Sequence, residues 1–357
     1  MTKEEIFRFE PVAQKKEMPQ IALGVIGLAH GHIYEMCKGL IQAGARLAYV
    51  YDPEETHIAE FCRQFPQAQV CASEAELLQK PDISLIASAA VPALRAGIGI
   101  RAMEAGKDYF VDKAPMTTLE QVQAVRETCR KTGKKCFVFY GESVVDAGAV
   151  YARDLIRRGI IGRVLHVDGV APHRLSPGAR EPWFFRREKT GGILIDLVCH
   201  QIHQFLEFTN TDSAKVDMGR ACNYHHPQYP GWDDFGDCAL TAENGATGYF
   251  RVDWFTPDGL RTWGDGRMLI VGTDGYIELR KNCDVAQEGS GNNVYVVNQA
   301  GEFCDNVKGK VTISYYRDVL WDCIHRTETA GSSERDFQAI ALAIEAQNRA
   351  LNRGNNT

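Results

Sequence analysis

The sequence predicts a chain in two parts: an α/β half built on a doubly wound parallel sheet, then an α+β half with a large open, mostly antiparallel sheet and helices on one face. Three observations carry this. Near-continuous apolar runs of strand length alternate with helix-like segments from Ile21 to Tyr140, the pattern of strands buried on both faces. After Gly141 strand-like runs follow one another closely, and Asn244-Gly245 and Asp274-Gly275 sit between paired runs as hairpin turns. The third is size and usage: 357 residues, 45% hydrophobic and 24% charged, suffice for two domains and exclude disorder, collagen-like repeats and a coiled coil.

In order along the chain, residues 1–19 are charged, hold Pro11 and Pro19 and show no period, so they read as an N-terminal arm. The expected domains are 20–141 and 142–357, with the last helix able to pack back on the first domain. The first domain opens on the apolar run Ile21–Gly27, followed by a helix from Gly31 to Ala43 and a strand at Ala45–Asp52. Helices at Glu55–Phe65, from Ser73, at Pro92–Ala105 and at Leu119–Thr132 then alternate with strands at Gln69–Cys71, Ile83–Ser88, Asp108–Asp112 and Lys135–Tyr140. In the second domain a helix at Ala147–Arg158 ends at Gly159, and another covers Leu194–Phe208. Strands at Val164–Val170, Val216–Cys222, Gly236–Glu243, Gly245–Phe255, Arg267–Val271, Tyr276–Arg280 and Asn293–Val297 read as an antiparallel meander. Helices at Tyr315–Arg326 and Ser333–Leu351 close the chain.

Several function classes are excluded. Forty Lys and Arg against 46 Asp and Glu give a net charge of -6, the wrong sign for gripping nucleic-acid phosphates. The longest apolar stretch, Ile83 to Ala93, is well short of the roughly 18 residues that span a bilayer. The opening M-T-K-E-E-I-F-R-F-E puts charges where a signal peptide needs an apolar region, and the eleven scattered cysteines contain no C-x-x-C. A soluble, cytoplasmic protein without nucleic-acid or membrane partners is expected.

The first strand runs directly into G-L-A-H-G-H and a helix. A dinucleotide fold places G-x-G-x-x-G there, for a tight turn, close approach to a pyrophosphate and a helix N-terminus that meets its charge. Only the first glycine is kept, with Ala29 and His32 in the second and third places. Gly27, Leu28, Ala29, His30 and His32 are the turn candidates, joined by Ser88 at the end of its strand. Asp52 ends the second strand, where a carboxylate accepts from both ribose hydroxyls and repels a 2'-phosphate, so NAD is expected over NADP.

Lys113 follows the strand G-K-D-Y-F-V-D, at the sheet edge where ligands bind. An ammonium there stabilises the alkoxide-like oxygen that forms as hydride leaves an alcohol. Asp196 and His200 lie at i and i+4 in G-G-I-L-I-D-L-V-C-H, on one helix face, and histidine is suited to carry the proton near neutral pH.

At these residues the sequence resembles the Gfo/Idh/MocA oxidoreductases, the group named for glucose-fructose oxidoreductase and inositol dehydrogenase. The resemblance runs from Ile21 to the end. It rests on the Gly27 turn, on A-M-E-A-G-K-D-Y-F-V-D-K-A-P, R-R-G-I-I-G-R-V, G-G-I-L-I-D-L-V-C-H and G-T-D-G-Y-I-E-L in this order. The family's E-K-P maps onto Asp112, Lys113 and Ala114, with proline displaced to Pro115; its D-x-x-x-H maps onto Asp196 and His200. The resemblance implies Lys113, His200 and Asp196 as catalytic residues, with Lys113 also touching the cofactor. It further implies a nicotinamide cofactor, a sugar or polyol substrate, and a homodimer or homotetramer formed through the open sheet. Members often have Asp where this chain has His203.

Other candidates stay two-sided. His173 and Arg174 in A-P-H-R, and Trp183 in E-P-W-F-F-R-R-E-K, offer the aromatic and guanidinium groups that bind sugars, or belong to a packed loop. His203 joins them as a substrate candidate; His225 and His226 lie in a lid or in plain surface. Cys199 and His200 are adjacent and point about 100° apart on a helix, so no metal site is expected. The outer face of the open sheet, taken to carry Phe250, Val252 and Trp254, needs cover from another subunit. Three functions compete: an NAD-dependent dehydrogenase acting on a secondary alcohol of a sugar or cyclitol, an NAD-dependent glycoside-cleaving enzyme working by transient C3 oxidation and elimination, and a non-catalytic dinucleotide-sensing regulator.

Overall fold

The computed structural model describes residues 2–9, 20–289 and 291–354. They form two compact units. The first comprises described residues 20–139 and 314–337, the second residues 2–9, 140–313 and 338–354. A single cut at 141/142 therefore differs from the observed division at Ser314–Phe337, which returns to the first unit.

In the second unit, Thr2 caps a one-turn helix α1 (Lys3–Ile6) in a capping box with Glu5. Of the expected arm, residues 10–19 lie outside the described residues. Residues 2–9 are anchored by three side chains, with Ile6 and Phe7 buried and Phe7 and Phe9 stacked on Tyr151 at 5.9 and 4.7 Å. Three apolar side chains in four positions are enough to seat the segment.

The first unit is built from β1 (Ala22–Ile26), β2 (Arg46–Tyr51), β3 (Gln69–Val70), β4 (Ile83–Ser88), β5 (Asp108–Asp112) and β6 (Cys136–Phe139). Between them run α2 (His32–Gln42), α3 (Glu55–Gln64), α4 (Glu74–Leu78), α5 (Pro92–Glu104) and α6 (Leu119–Thr132). The six strands lie in the order β3-β2-β1-β4-β5-β6, each pair parallel. Every residue of β1, β5 and β6 is buried, as double coverage of a parallel sheet requires. Strand order reverses between β1 and β4, the crevice where such sheets bind ligands. A later helix, α11 (Tyr315–His325), seats on this unit: Tyr315 donates to the Val138 carbonyl at 2.8 Å, and a Cβ at Gly39 would stand 2.3 Å from the Tyr316 ring. Only glycine lets α2 approach that ring.

The second unit continues with α7 (Gly141–Val144), α8 (Ala147–Arg157), β7 (Val164–Pro172), α9 (Arg187–Thr190) and α10 (Cys199–Thr209). Its remaining strands are β8 (Ala214–Cys222), β9 (Phe235–Ala242), β10 (Thr247–Asp253), β11 (Arg267–Gly272), β12 (Gly275–Arg280), β13 (Asn293–Asn298) and β14 (Gly301–Asn306). The last helix, α12 (Ser333–Gly354), contributes its residues from 338 onward to this unit.

The eight strands order as β14-β13-β12-β11-β7-β10-β9-β8. This is not a simple meander. β7 enters between β11 and β10, antiparallel to the first and parallel to the second. Both expected hairpins form, β9–β10 around Asn244-Gly245 and β11–β12 around Asp274-Gly275. β14 is not among the expected strands because G-E-F-C-D-N carries too few apolar or β-branched residues for a period-2 signal.

The alternation of faces corrects the expected outer surface. Phe250, Val252 and Trp254 are buried within the unit, Phe250 against Phe205 of α10. Tyr249 and Arg251 take the opposite face, because successive strand residues point to opposite sides. All eleven cysteines are free thiols, and among the described residues no helix is long and apolar enough to cross a membrane.

Candidate active site

In the first unit, β1 ends in a turn that only glycine fits. Gly27 has φ +88°, and a Cβ there would lie 2.4 Å from that of Ala90. Its N–H donates to the Tyr51 carbonyl at 3.0 Å and its carbonyl accepts from Ala89 at 3.1 Å, while the His30 N–H donates to the Ala89 carbonyl at 2.9 Å. The loops after β1, β2 and β4 are thus tied together. Ser88 lies beneath them, fully buried, its Oγ accepting from the Ala90 N–H at 3.4 Å.

Asp52 is 5% exposed and helps close the same turn: Oδ2 accepts from the Leu28 N–H at 2.6 Å, and Oδ1 from the Glu54 N–H at 2.9 Å with His57 Nδ1 at 3.1 Å. Its first task is to hold the glycine turn, beside whatever it offers a ribose. Gly31, the N-cap of α2, makes no side-chain cap and leaves open space where a Cβ would be. A helix start without a capping side chain, approached over a bare glycine, fits a dinucleotide pyrophosphate.

At the far end of β5 an unforeseen cluster surrounds Asp112, which is fully buried. His32 Nδ1 is 2.8 Å from Oδ1, His30 Nδ1 is 2.8 Å from Oδ2, and Arg95 Nη2 is 3.0 Å from Oδ2. Burial opposes ionisation of Asp112, but His32, Arg95 and His30 overcome it and hold the carboxyl well below its usual range. Burial, reinforced by His32, pushes His30 down to about 4. His30, His32 and Asp112 bring potential ligand atoms within 4.8 Å of one another, a convergence that spacing along the chain did not reveal. The Arg95 guanidinium already neutralises the carboxylate they share.

Arg95 also organises the strand end. It is 1% exposed and donates to the carbonyls of Ala90 at 2.6 Å, Asp112 at 3.1 Å and Ala114 at 3.2 Å, and to that of Lys113. The backbone on both sides of Lys113 is therefore clamped, and the Lys113–Ala114 peptide is cis. Lys113 itself is 5% exposed.

In the second unit, α10 carries the other candidates against α7. His200 is 2% exposed with its ring edge-on to Tyr140 at 6.2 Å. His203 stacks on the same ring at 4.7 Å, its Nδ1 2.7 Å from Ser143 Oγ. Glu142 was missed by sequence reasoning and is central here. Its Oε2 accepts from Gln201 at 3.0 Å, its Oε1 is 3.6 Å from His173 Nε2, and Lys281 donates to its backbone carbonyl at 2.9 Å. Burial works against the Glu142 charge, yet His200, Lys281 and His173 outweigh it and hold the carboxyl down at about 2. Lys281 also donates to Gln204 Oε1 at 2.5 Å, and Gln204 donates to the His200 carbonyl at 3.0 Å. Nothing in the order of residues links 142, 200 and 281; only their convergence does.

Asp196 falls in a π-helical turn, Leu194–Val198, ahead of α10, where a regular helix was expected. Such turns recur at functional sites. The charge of Asp196 acts on Arg180, whose guanidinium is otherwise shifted down by burial and lies 4.6 Å over Phe184 and 5.2 Å over Trp254. His173 joins this aromatic wall, 5.4 Å from Trp254 and 4.6 Å from Trp263.

The remaining candidates reach that wall through its neighbours: Trp183 packs edge-on to Phe184 at 6.2 Å, His226 edge-on to Trp232 at 5.5 Å, and the Arg174 N–H donates to the Trp263 carbonyl at 2.7 Å. Arg174 Nη2 donates to the carbonyls of Pro257, Asp258 and Leu260 at 3.0, 3.3 and 2.5 Å, pinning a loop. Trp183 donates to Glu181 at 3.1 Å. The His225–His226 loop is ordered by Asp234, which accepts from the Tyr224 and His225 N–H groups at 2.8 Å and lies 2.8 Å from His226 Nδ1.

Known proteins share this fold. Residues 21–140 match the oxidoreductase family described as an NAD-binding Rossmann fold, and 149–278 match the GFO/IDH/MocA C-terminal domain. The chain is 27% identical over 211 residues to D-xylose dehydrogenase of Paenarthrobacter nicotinovorans, covering 57% of this chain and 52%, about half, of that enzyme. It is 27% identical over 266 residues to scyllo-inositol 2-dehydrogenase (NAD(+)) of Bacillus subtilis, 72% of this chain and 73% of that one. A crystal structure of a candidate oxidoreductase from Erwinia carotovora atroseptica superposes with a TM-score of 0.90 at 47% identity, covering 92% of this chain and 98% of the other. With a glycine-closed turn on a parallel six-stranded sheet in one unit, a buried histidine helix against an open eight-stranded sheet in the other, and both halves matched, the chain belongs to the Gfo/Idh/MocA family of NAD-binding oxidoreductases.

Proposed function

We propose that the protein is an NAD-dependent dehydrogenase that oxidises a secondary alcohol of a sugar, sugar derivative or cyclitol. The observation that carries this reading is Lys113, buried at the carboxyl end of β5 with its flanking carbonyls clamped by Arg95. Relatives named for D-xylose and scyllo-inositol support a polyhydroxylated substrate.

Bound NAD supplies the hydride acceptor. The Lys113 ammonium hydrogen-bonds the reacting hydroxyl oxygen and stabilises its growing negative charge while the proton passes to the His200 imidazole. Asp196 orients the substrate or the imidazole. The turn from Gly27 to His32, with Ser88, holds the dinucleotide, and Asp52 disfavours a 2'-phosphate by like charge. His173, with the Arg180–Trp254 wall, offers a face for a sugar ring.

The test incubates the protein with NAD or NADP and a panel of polyols, aldoses, inositols and aryl glycosides, following NADH and product release together. NADH accumulation with one member of the panel, faster with NAD than with NADP, is the expected result. Glycoside cleavage without net NADH replaces this reading with oxidation followed by elimination; tight NAD binding with no turnover replaces it with a sensor.

We further propose a homodimer or homotetramer assembled on the open sheet. The support now comes from the face opposite Phe250, which carries Val170, Tyr249, Leu269, Val271 and Tyr276, all at least partly exposed: Val271 pairs with Tyr276, Tyr249 and Leu269 flank Asp168, and Val170 lies between Arg251 and Arg267. Light scattering at micromolar concentration is expected to give twice or four times the chain mass, and a clean monomer ends the idea.

A further inference from the structure

We propose that Glu142 is a positioning residue for His200: a buried carboxylate, set between Lys281 and His173 and bonded to the helix that carries His200, that supports the imidazolium formed when His200 takes up a proton. The inference rests on His200 being the proton-carrying residue of the proposed function.

The geometry supplies the argument. α7 is a single turn whose residues Glu142 and Ser143 meet α10 on one side and the segment after β12 on the other. Each Glu142 oxygen has a partner from a different element, Gln201 of α10 for Oε2 and His173 at the end of β7 for Oε1. Lys281, 5% exposed and 3.9 Å from Oε2, ties the carboxylate's backbone to Gln204, which binds the carbonyl of His200 itself. The carboxylate, the ammonium and the helix that carries His200 are thus one network. A charge fixed in a poorly solvated site acts strongly on a neighbouring imidazole, since little water screens it.

Other charges face the same space. Asp146, the N-cap of α8, interacts with both Lys281 and Glu142; Arg153 of α8 pairs with Glu207 at 2.9 Å and donates to the Ser143 carbonyl at 3.3 Å; His203 meets Ser143. Against the opposing effect of burial, Glu142 is held ionised by His200 first, then by Lys281 and His173. Proton transfer from an alcohol turns His200 into a cation, which Glu142 stabilises and which Lys281 keeps from being stabilised so far that the base never releases its proton.

The experiment titrates the histidines by NMR in the full-length, NAD-loaded protein, with His200 assigned by its loss in His200→Gln. In Glu142→Gln the His200 midpoint is expected to fall by about one pH unit, the size typical of losing a nearby opposite charge. In Lys281→Met it should rise, and Glu142→Asp should stay near wild type. A purely structural role predicts no pair of opposite shifts. An unmoved midpoint in folded Glu142→Gln, or shifts of the same sign in the Gln and Met variants, overturns the proposal; if Glu142→Gln does not fold, an unmoved midpoint in Lys281→Met does so. On a substrate from the panel, the acid limb of kcat/KM should move to lower pH in Glu142→Gln along with the midpoint. Opposite midpoint shifts without any turnover refute the dehydrogenase reading and leave the pairing standing.

Discussion

Lys113→Ala and His200→Ala should each lower turnover about 10²–10⁴-fold on a substrate found with the proposed panel, while NAD affinity stays near wild type. That range corresponds to roughly 3–5 kcal/mol of barrier. Charge sets the scale. An alcohol that loses hydride before its proton leaves behind a protonated carbonyl, and a poorly solvated cleft stabilises that cation badly. A base that takes the proton, and an ammonium that steadies the oxygen while it does so, remove the penalty. Both groups are buried where such effects are strong, Lys113 at 5% exposure and His200 at 2%. Lys113→Ala leaves the carbonyl clamp of Arg95 in place, so the loss should appear in kcat without a matching loss of NAD binding. Steady-state kinetics with calorimetry of NAD binding checks both halves. Wild-type turnover in both variants would remove these residues from the mechanism and turn attention to His203 and Tyr140.

Arg95→Met should destabilise the first unit by about 3–5 kcal/mol, the cost of stripping the partner from a buried charge. Arg95 is the largest fully buried side chain and serves two roles at once. It pairs with Asp112, which has no exposure, and it satisfies carbonyls of the backbone around Lys113 and Ala90. Methionine fills similar volume but leaves those oxygens without a donor, each a further cost. Arg95→Lys should recover little, since one ammonium cannot span the positions a planar guanidinium reaches. The pH dependence has a definite sign. Asp112 ionises in the folded protein well below its ordinary value, so its stabilisation is complete above about pH 4–5 and is lost as pH falls through the folded value. The gap between wild type and Arg95→Met should therefore be widest near neutral pH and narrow in acid. Denaturation midpoints across pH measure this, and a wild-type midpoint for Arg95→Met at pH 7 would contradict the clamp.

Much of the architecture was legible because its signals are local. The parallel strands announce themselves as short apolar runs, and β1, β5 and β6 are buried along their whole length as those runs require. Gly27 stood out at a strand-to-helix junction, and its positive φ and close approach to Ala90 explain why no other residue serves there. Asn244-Gly245 and Asp274-Gly275 specify their turns by backbone preference, and both hairpins formed. Strand β14 failed the same test, having too little apolar alternation to be seen.

What the sequence determined by itself is therefore most of the elements and the chemistry available on them: a dinucleotide-binding half, an open-sheet half, Lys113 after a buried strand, and Asp196 and His200 four residues apart. The tertiary structure decided everything that depends on residues far apart in the chain. It inserted β7 between β11 and β10 and turned Phe250 and Val252 inward, because strand order and facing follow from packing against α10. It gathered Arg95, His30 and His32 around the buried Asp112 carboxylate, and Lys281 and Gln204 around Glu142. Periodicity records which side of an element faces the core, but a pairing between buried charges exists only once the chain has closed around them, and the same polar residues read in order look like ordinary surface.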